Sequence, residues 1–252
     1  MEDNIVITSR VMLARNLKNY KFPVYMTPEE SKNVIAEVNY ALNRERKKYD
    51  LIYMKDLTDV QKKSYIENHL ISPALAEKND SGAFLLSPDK KVSIMINEED
   101  HIRIQTLGEG MSLKECWDLG SRVDDEIEEY VDYAFDKELG YVTACPTNIG
   151  TGMRASVMLH LPALSITNQI EKFLYGISQL GIAVRGVYGE GTKSIGHLYQ
   201  ISNQGTLGAS EETLIDKIAQ IVMQIIDKER RTREHLKKNN YDELEDDFYR
   251  AY

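Results

Sequence analysis

The chain has 252 residues, enough to bury one large core or two small ones. Its formal net charge of −9 speaks against a nucleic-acid partner, which needs a basic face to meet phosphate backbones; it suits cationic substrates or simply keeps the chain soluble. No apolar run nears the roughly 20 residues that span a bilayer, the start MEDNIVITSR lacks the segments of a signal peptide, and the two cysteines, Cys116 and Cys145, suit neither a disulfide framework nor a metal site, so the expectation is a cytoplasmic chain with reduced thiols and no membrane partner.

Residues 4–15 have the apolar character of a strand, with Arg10 and Met12 on one face and Arg15 on the other. An inward Arg10 suits bidentate binding of phosphate, whereas Arg15 reads as a surface or structural salt-bridge residue. Thr27-Pro28-Glu29-Glu30 carries an N-cap, a first-turn proline and a capping-box glutamate, and predicts a helix to about Lys48. Short apolar runs at 51–54, 83–86, 92–96 and 102–105 predict strands, with helices near 58–70, 111–131 and 165–180. The segments 141–145, 154–161, 182–188 and 197–202 read as further strands. From Ser210, an N-cap followed by two glutamates, a charged helix runs to about Lys238. Several connections are too short for a parallel crossover, so the sheet is expected to be largely antiparallel and the class α+β. No repeat, low-complexity linker or domain boundary is visible.

Four segments carry the chemistry. TSRVMLARN (8–16) offers Arg10. In NEEDHIRIQ (97–105) four charged or ionisable side chains stand between apolar runs, as in a solvated hairpin tip, yet Arg103 lies inside the next strand, where a charge on one face needs a partner or a ligand. CPTNIGTGMR (145–154) joins two strands by a turn in which Gly150 and Gly152 permit close backbone approach to a ligand; it lacks the Gly-Lys-Ser/Thr ending of a Walker loop. Cys145 is either a buried small hydrophobe or, beside cations such as Arg154, a reactive thiolate. RGVYGEGTKSIG (185–196) sets four glycines around Glu190, as in a hairpin loop or a lid carrying a catalytic group.

The ordered series SRV, NEEDHIR, CPTNIGTGMRAS, RGVYGEG and ISNQGTLG resembles the phosphagen kinase superfamily over nearly the whole chain, and HLISP (69–73) and GMRASVMLHLPAL (152–164) resemble its bacterial protein-arginine kinases. The resemblance implies a large, mostly antiparallel sheet flanked by helices, glutamine synthetase-like, with residues 1–252 forming one catalytic domain and the family's C-terminal phosphoarginine-binding domain absent. It implies transfer of the γ-phosphoryl group of ATP to arginine guanidinium groups of proteins, with Mg²⁺ held mainly by nucleotide and water and Glu98 reaching the ion through a water. Glu99 and Glu190 match the catalytic carboxylates and Cys145 the cysteine beside the guanidinium. Arg10, Arg103, Arg154 and Arg185 match phosphate-binding arginines, and His69 the histidine against adenine. Protein substrates, a Clp-type protease system and an activator protein are the implied partners. Where the family usually has a second arginine, this chain has Met12. The alternatives are a kinase of a small guanidino metabolite such as free arginine, or a catalytically weak arginine-binding adaptor.

Overall fold

The computed structural model describes residues 5–186 and 196–239. Eight described strands form one antiparallel sheet: β1 (Val6–Arg15), β2 (Asp50–Tyr53), β3 (Ala83–Leu86), β4 (Val92–Ile96), β5 (Ile102–Glu109) and, after the two-residue ribbon of β6 (Phe135–Asp136) and β7 (Gly140–Tyr141), β8 (Met153–His160), β9 (Ile182–Gly186) and β10 (Leu198–Asn203). Their order is β2-β3-β4-β5-β1-β8-β10-β9, which puts β1 between β5 and β8. The α+β class expected from the short connections is the one observed.

Side chains alternate across the sheet, and the two faces differ in kind. Val11 and Leu13 of β1, Ile102 and Ile104 of β5, and Ala155, Val157 and Leu159 of β8 enter one large core. That core is closed by α1 (Pro28–Asn43), α4 (Leu113–Glu128), α6 (Ile170–Ser178) and α7 (Glu211–Asn239). A smaller core on the other face joins Phe84 and Met95 to Met54, Leu70 and Leu75, which come from the segment containing α2 (Asp59–Glu67) and α3 (Pro73–Ala76). From β5 to β9 the second face carries polar residues instead.

The helix starts follow their local chemistry. The Thr27 hydroxyl accepts from Glu30 N–H while the Glu30 carboxylate accepts from Thr27 N–H, the reciprocal cap seen in the sequence. This helix ends at Asn43 rather than near Lys48, because the Asn43 side-chain oxygen accepts from the backbone N–H groups of Lys48 and Tyr49 and turns the chain into β2. The predicted helix over 165–180 is two: α5 (Pro162–Ile166) and α6 are separated at Asn168, whose φ of 54° is left-handed. Buried Glu229 of α7 accepts from Ala163 N–H and Leu164 N–H, satisfying the start of α5. The strand expected over 141–145 stops at Tyr141, because Ala144 N–H donates to Asp100 Oδ1 and draws the chain off the ribbon. No helix among the described residues is long and apolar enough to cross a membrane.

Arg15, only 1% exposed, is structural rather than superficial. Its Nε and Nη2 donate to Asp124 Oδ2 of α4 at 3.0 and 2.7 Å, and Nη1 donates to Ala14 O and Thr151 O at 2.9 and 3.0 Å. The guanidinium lies 3.5 Å from the centre of the Tyr141 ring, and the Tyr133 hydroxyl donates to Asp124 Oδ1. Removing one member of such a buried pair strands the other charge, a loss of roughly 3–5 kcal/mol. Asp124→Asn should lower unfolding stability in urea by about that amount. A loss below about 1 kcal/mol, the value of a solvated surface pair, would contradict this role.

Candidate functional site

The open part of the second face gathers arginines from four strands. Arg103 of β5, Arg10 of β1, Arg154 of β8 and Arg185 of β9 all occupy that face by register: Arg10 pairs with Leu107 and Ser156, Met12 with Gln105 and Arg154, and Arg185 with Gln200. The guanidiniums feel one another. Burial and then the charges of Arg103 and Arg154 lower the pKa of Arg10 to about 10. Arg154 is lowered by burial and by Arg185 and Arg103, with Cys145 acting in the opposite direction. His69 is lowered by burial and by Arg10. Arg10 retains one long side-chain contact, Nε to Ser156 Oγ at 3.4 Å, and Arg154 one to Ser202 Oγ at 3.2 Å. No described carboxylate is ion-paired to either, so an anion would relieve their mutual repulsion.

Two cavities border this row. One of about 200 Å³ is lined by Arg154, Arg185, Thr147, Asn148, Ala183, Asn203, Gln204 and Thr206. The other, about 120 Å³ and less polar, is lined by Arg10, His69, Thr8, Leu107, Ser156, Met158 and Gln200. Met12 is buried within the row, cross-strand from Arg154 and Gln105.

The 97–101 turn between β4 and β5 is not a solvated tip. Asn97, Glu98, Asp100 and His101 are buried and Glu99 alone is exposed. Asn97 adopts a left-handed φ of 62° and donates to Ser31 O and Ser81 O, fixing the turn to the body. Asp100 Oδ1 accepts from Asn16 Nδ2 and Ala144 N–H, each at 2.6 Å, so one carboxylate ties β1, this turn and the segment leading to Cys145. The Glu99 pKa is raised by burial and by the neighbouring charges of Asp100 and Glu98, against a smaller pull from Arg103. Glu98 holds Arg103 Nη1 with both oxygens at 2.8 and 2.9 Å and also accepts from Ser72 Oγ. Among the described residues Arg103 Nε is buried without a partner.

The Cys145 loop is set by protein contacts. Cys145, half-buried, lies 2.9 Å from Thr147 Oγ1. Thr206 Oγ1 donates to Thr147 O and Ile149 O, and Asn203 accepts from Ala155 N–H and donates to Met153 O, which gives the ISNQGTLG segment its purpose. The freedom of Gly150 and Gly152 serves this packing and not a ligand's approach: a Cβ would fall 2.3 Å from Thr206 O at the first and 2.6 Å from Ala14 O at the second. His69 sits at a φ of 57°, and its segment is fastened to the sheet by Gln105 donating to His69 O and Ser93 to Leu70 O. Glu190 lies outside the described residues.

Thus Arg10, Arg103, Arg154, Arg185, His69 and Cys145 share one face, with Glu99 at its margin. Sequence reasoning missed Asn16, Asp100, Ser72, Gln105, Asn203 and Thr206, which hold that set in place. A polar residue recurring on an otherwise apolar strand was the available signal for Gln105 and Asn203.

The chain is similar to known proteins over most of its length. Residues 30–232 match the family described as ATP:guanido phosphotransferase, C-terminal catalytic domain. A protein from Halalkalibacterium halodurans named protein-arginine kinase is 50% identical over 258 residues, spanning 100% of this chain and 71% of its own length. One of the same name from Clostridium kluyveri is 50% identical over 250 residues, spanning 98% and 72%. Among solved structures, lombricine kinase superposes with a TM-score of 0.80 at 25% identity, over 93% of this chain and 69% of its own. The substrate-free duplicated taurocyamine kinase from Schistosoma mansoni shares the fold, with a TM-score of 0.79 at 24% identity over 93% of this chain and 34% of its own. The chain belongs to the ATP:guanido phosphotransferase family, and the matched residues carry Arg103, Arg154 and Arg185 of the sheet face.

Proposed function

We propose that this chain is a protein-arginine kinase, transferring the γ-phosphoryl group of ATP to guanidinium groups of arginine residues in proteins, with residues 1–252 acting as one catalytic domain. The observation that carries this reading is a row of four arginines on one sheet face, bordered by Glu99 and Cys145, in a chain 50% identical to proteins of that name. In this reading Arg10, Arg103, Arg154 and Arg185 receive the phosphates, and Arg103 Nε, buried and unpartnered, gains an acceptor. The less polar cavity beside His69, Leu107 and Met158 receives the base.

The acceptor guanidinium is a poor nucleophile because it stays protonated below a pKa of about 12. Glu99, with Glu190 in the family's matching position, grips its nitrogens and sets the line of attack. The raised pKa of Glu99 makes it a better proton acceptor than an ordinary glutamate as the N–P bond forms. The arginines meet the charge on the transferring phosphoryl oxygens, so positioning and electrostatics carry most of the acceleration. Cys145 orients the guanidinium without bonding to phosphorus. A magnesium ion would be held mainly by the triphosphate and water, with Glu98 at its outer edge. When bound, that ion neutralises phosphate charge. A cytoplasmic setting, a Clp-type protease system and an activator protein enter on family resemblance alone.

The direct test supplies ATP with an unfolded basic protein or with free arginine and analyses the products without acid, which hydrolyses the N–P bond. Phosphoarginine in the protein is expected; turnover of free arginine alone would overturn the reading. Glu99→Gln should lower kcat by at least about 10²-fold with ATP affinity nearly unchanged. Because the Glu99 pKa is raised, its carboxylate is protonated up to a higher pH than usual. The wild-type rate should therefore fall on acidification from a pH above the ordinary glutamate value of about 4.3. Near-wild-type turnover in the variant would remove Glu99 from this role.

Arg10 offers a second test. Its pKa in the folded chain, about 10, lies below that of a free guanidinium, so its burial weakens the fold at every pH below about 10 and the loss is recovered only as pH rises through that value. At neutral pH the whole cost is present. Arg10→Gln should raise the Tm of the nucleotide-free protein while weakening ATP binding by roughly 10- to 100-fold, the range of a charge-assisted contact. A lower Tm together with unchanged ATP affinity would place Arg10 in structural support instead.

A further inference from the structure

A third cavity, of about 340 Å³, lies just beyond the end of β1 and outside the arginine row. Tyr20, Phe22, Phe135, Leu17 and Val142 give it aromatic and aliphatic walls. His101 completes them as a neutral ring: its Nδ1 accepts from Leu17 N–H at 3.0 Å, its Nε2 stands 2.7 Å from Lys21 O and so carries the proton, and burial lowers its pKa. Tyr20 packs edge-on against that ring at 6.1 Å and sends its hydroxyl away to Glu37, so its ring presents an apolar surface. Lys18 and Asp136 add one charge of each sign. Phe135, on the β6–β7 ribbon, is 59% exposed, and Val24 and Tyr25, next to Phe22, are each 73% exposed. Leu17 and Tyr20 also pack on the main core, whereas Phe135, Val24 and Tyr25 are left exposed beside the cavity.

The cavity wall is tethered to the segments that carry Glu99 and Cys145. Asn16 and Val142 line it, and Asn16 Nδ2 donates both to Val142 O at 3.0 Å and to Asp100 Oδ1, the atom that also fastens Ala144. Val142 in the cavity wall and Cys145 are therefore three residues apart on one tethered segment, and His101 is two residues from Glu99. Three extended residues span about 10 Å. A polypeptide whose arginine reaches Glu99 and Cys145 can place a side chain about three residues away over the cavity.

Resting on the reading of the chain as a protein-arginine kinase, we propose that this cavity is a docking subsite for an apolar side chain, aromatic or aliphatic, about three residues from the acceptor arginine in an extended substrate polypeptide. Neutral His101 and the balanced Lys18 and Asp136 favour no net charge, and the rings of Phe22 and Phe135 favour apolar area. Free arginine has no such side chain and gains nothing from the subsite.

The test uses the whole chain, ATP and peptides with one arginine, carrying Leu, Phe, Ser or Gly three residues to either side, alongside free arginine. Wild type should show a KM about tenfold lower for the Leu and Phe peptides on one side, the scale set by filling an apolar pocket. Phe135→Ala should erase that preference while leaving the KM for ATP and the turnover of the Gly peptide unchanged, and Phe135→Leu should restore most of it. Phe22→Ala repeats the test from the opposite wall should Phe135→Ala unfold. Peptide turnover without a flanking preference, or a preference that survives both alanine variants, would overturn the subsite and leave protein-arginine phosphorylation standing. Phosphorylation of free arginine but of no peptide would overturn the kinase reading and the subsite with it.

Discussion

The buried ion pair of Arg15 and Asp124 is the constraint from which the site is hung. One guanidinium joins the end of the central strand to α4, caps the carbonyl of Thr151 below the Cys145 loop, and lies on Tyr141 of the β6–β7 ribbon. A charge so placed cannot shift without leaving Asp124 unpaired in the core, so it fixes four segments relative to one another. Gly152 belongs to the same arrangement, since a Cβ there would meet Arg15 Nη1 at 2.7 Å.

Above that anchor the sheet sorts charge by face. Helices cover the apolar side, and the opposite side concentrates like charges that no fold would choose for its own stability. The row from Arg103 to Arg185 is kept together by strand register, and register cannot relax one arginine at a time. In the proposed function, the stability given up there is recovered when a polyanion binds.

The acidic turn works by the opposite logic. Three of its four ionisable residues are spent on the protein: Glu98 on Arg103 and Ser72, Asp100 on Asn16 and Ala144, His101 on Leu17 and Lys21. The fourth, Glu99, is the one left exposed. Glu98 and Asp100 also push the Glu99 pKa upward, so the residues that hold it also tune it.

The sequence by itself determined the pieces whose information is local. The short apolar runs, the capping box at Thr27 and the short connections were enough for the main strands, a helix start and an antiparallel α+β sheet, and the ordered motifs pointed to Arg10, Arg103, Arg154, Arg185, Glu99 and Cys145. Only tertiary structure decided what depends on distant partners. Asn43 ends its helix because its side chain reaches Lys48 and Tyr49, and the strand expected at 141–145 yields to the Asp100 bond with Ala144. Gly150 and Gly152 looked like room for a ligand and are filled by Thr206 and Ala14. Arg15 and Arg10 are both arginines on one strand, five residues apart. Their odd spacing puts them on opposite faces, but only the packed structure shows that one face holds Asp124 in the core and the other is open among like charges.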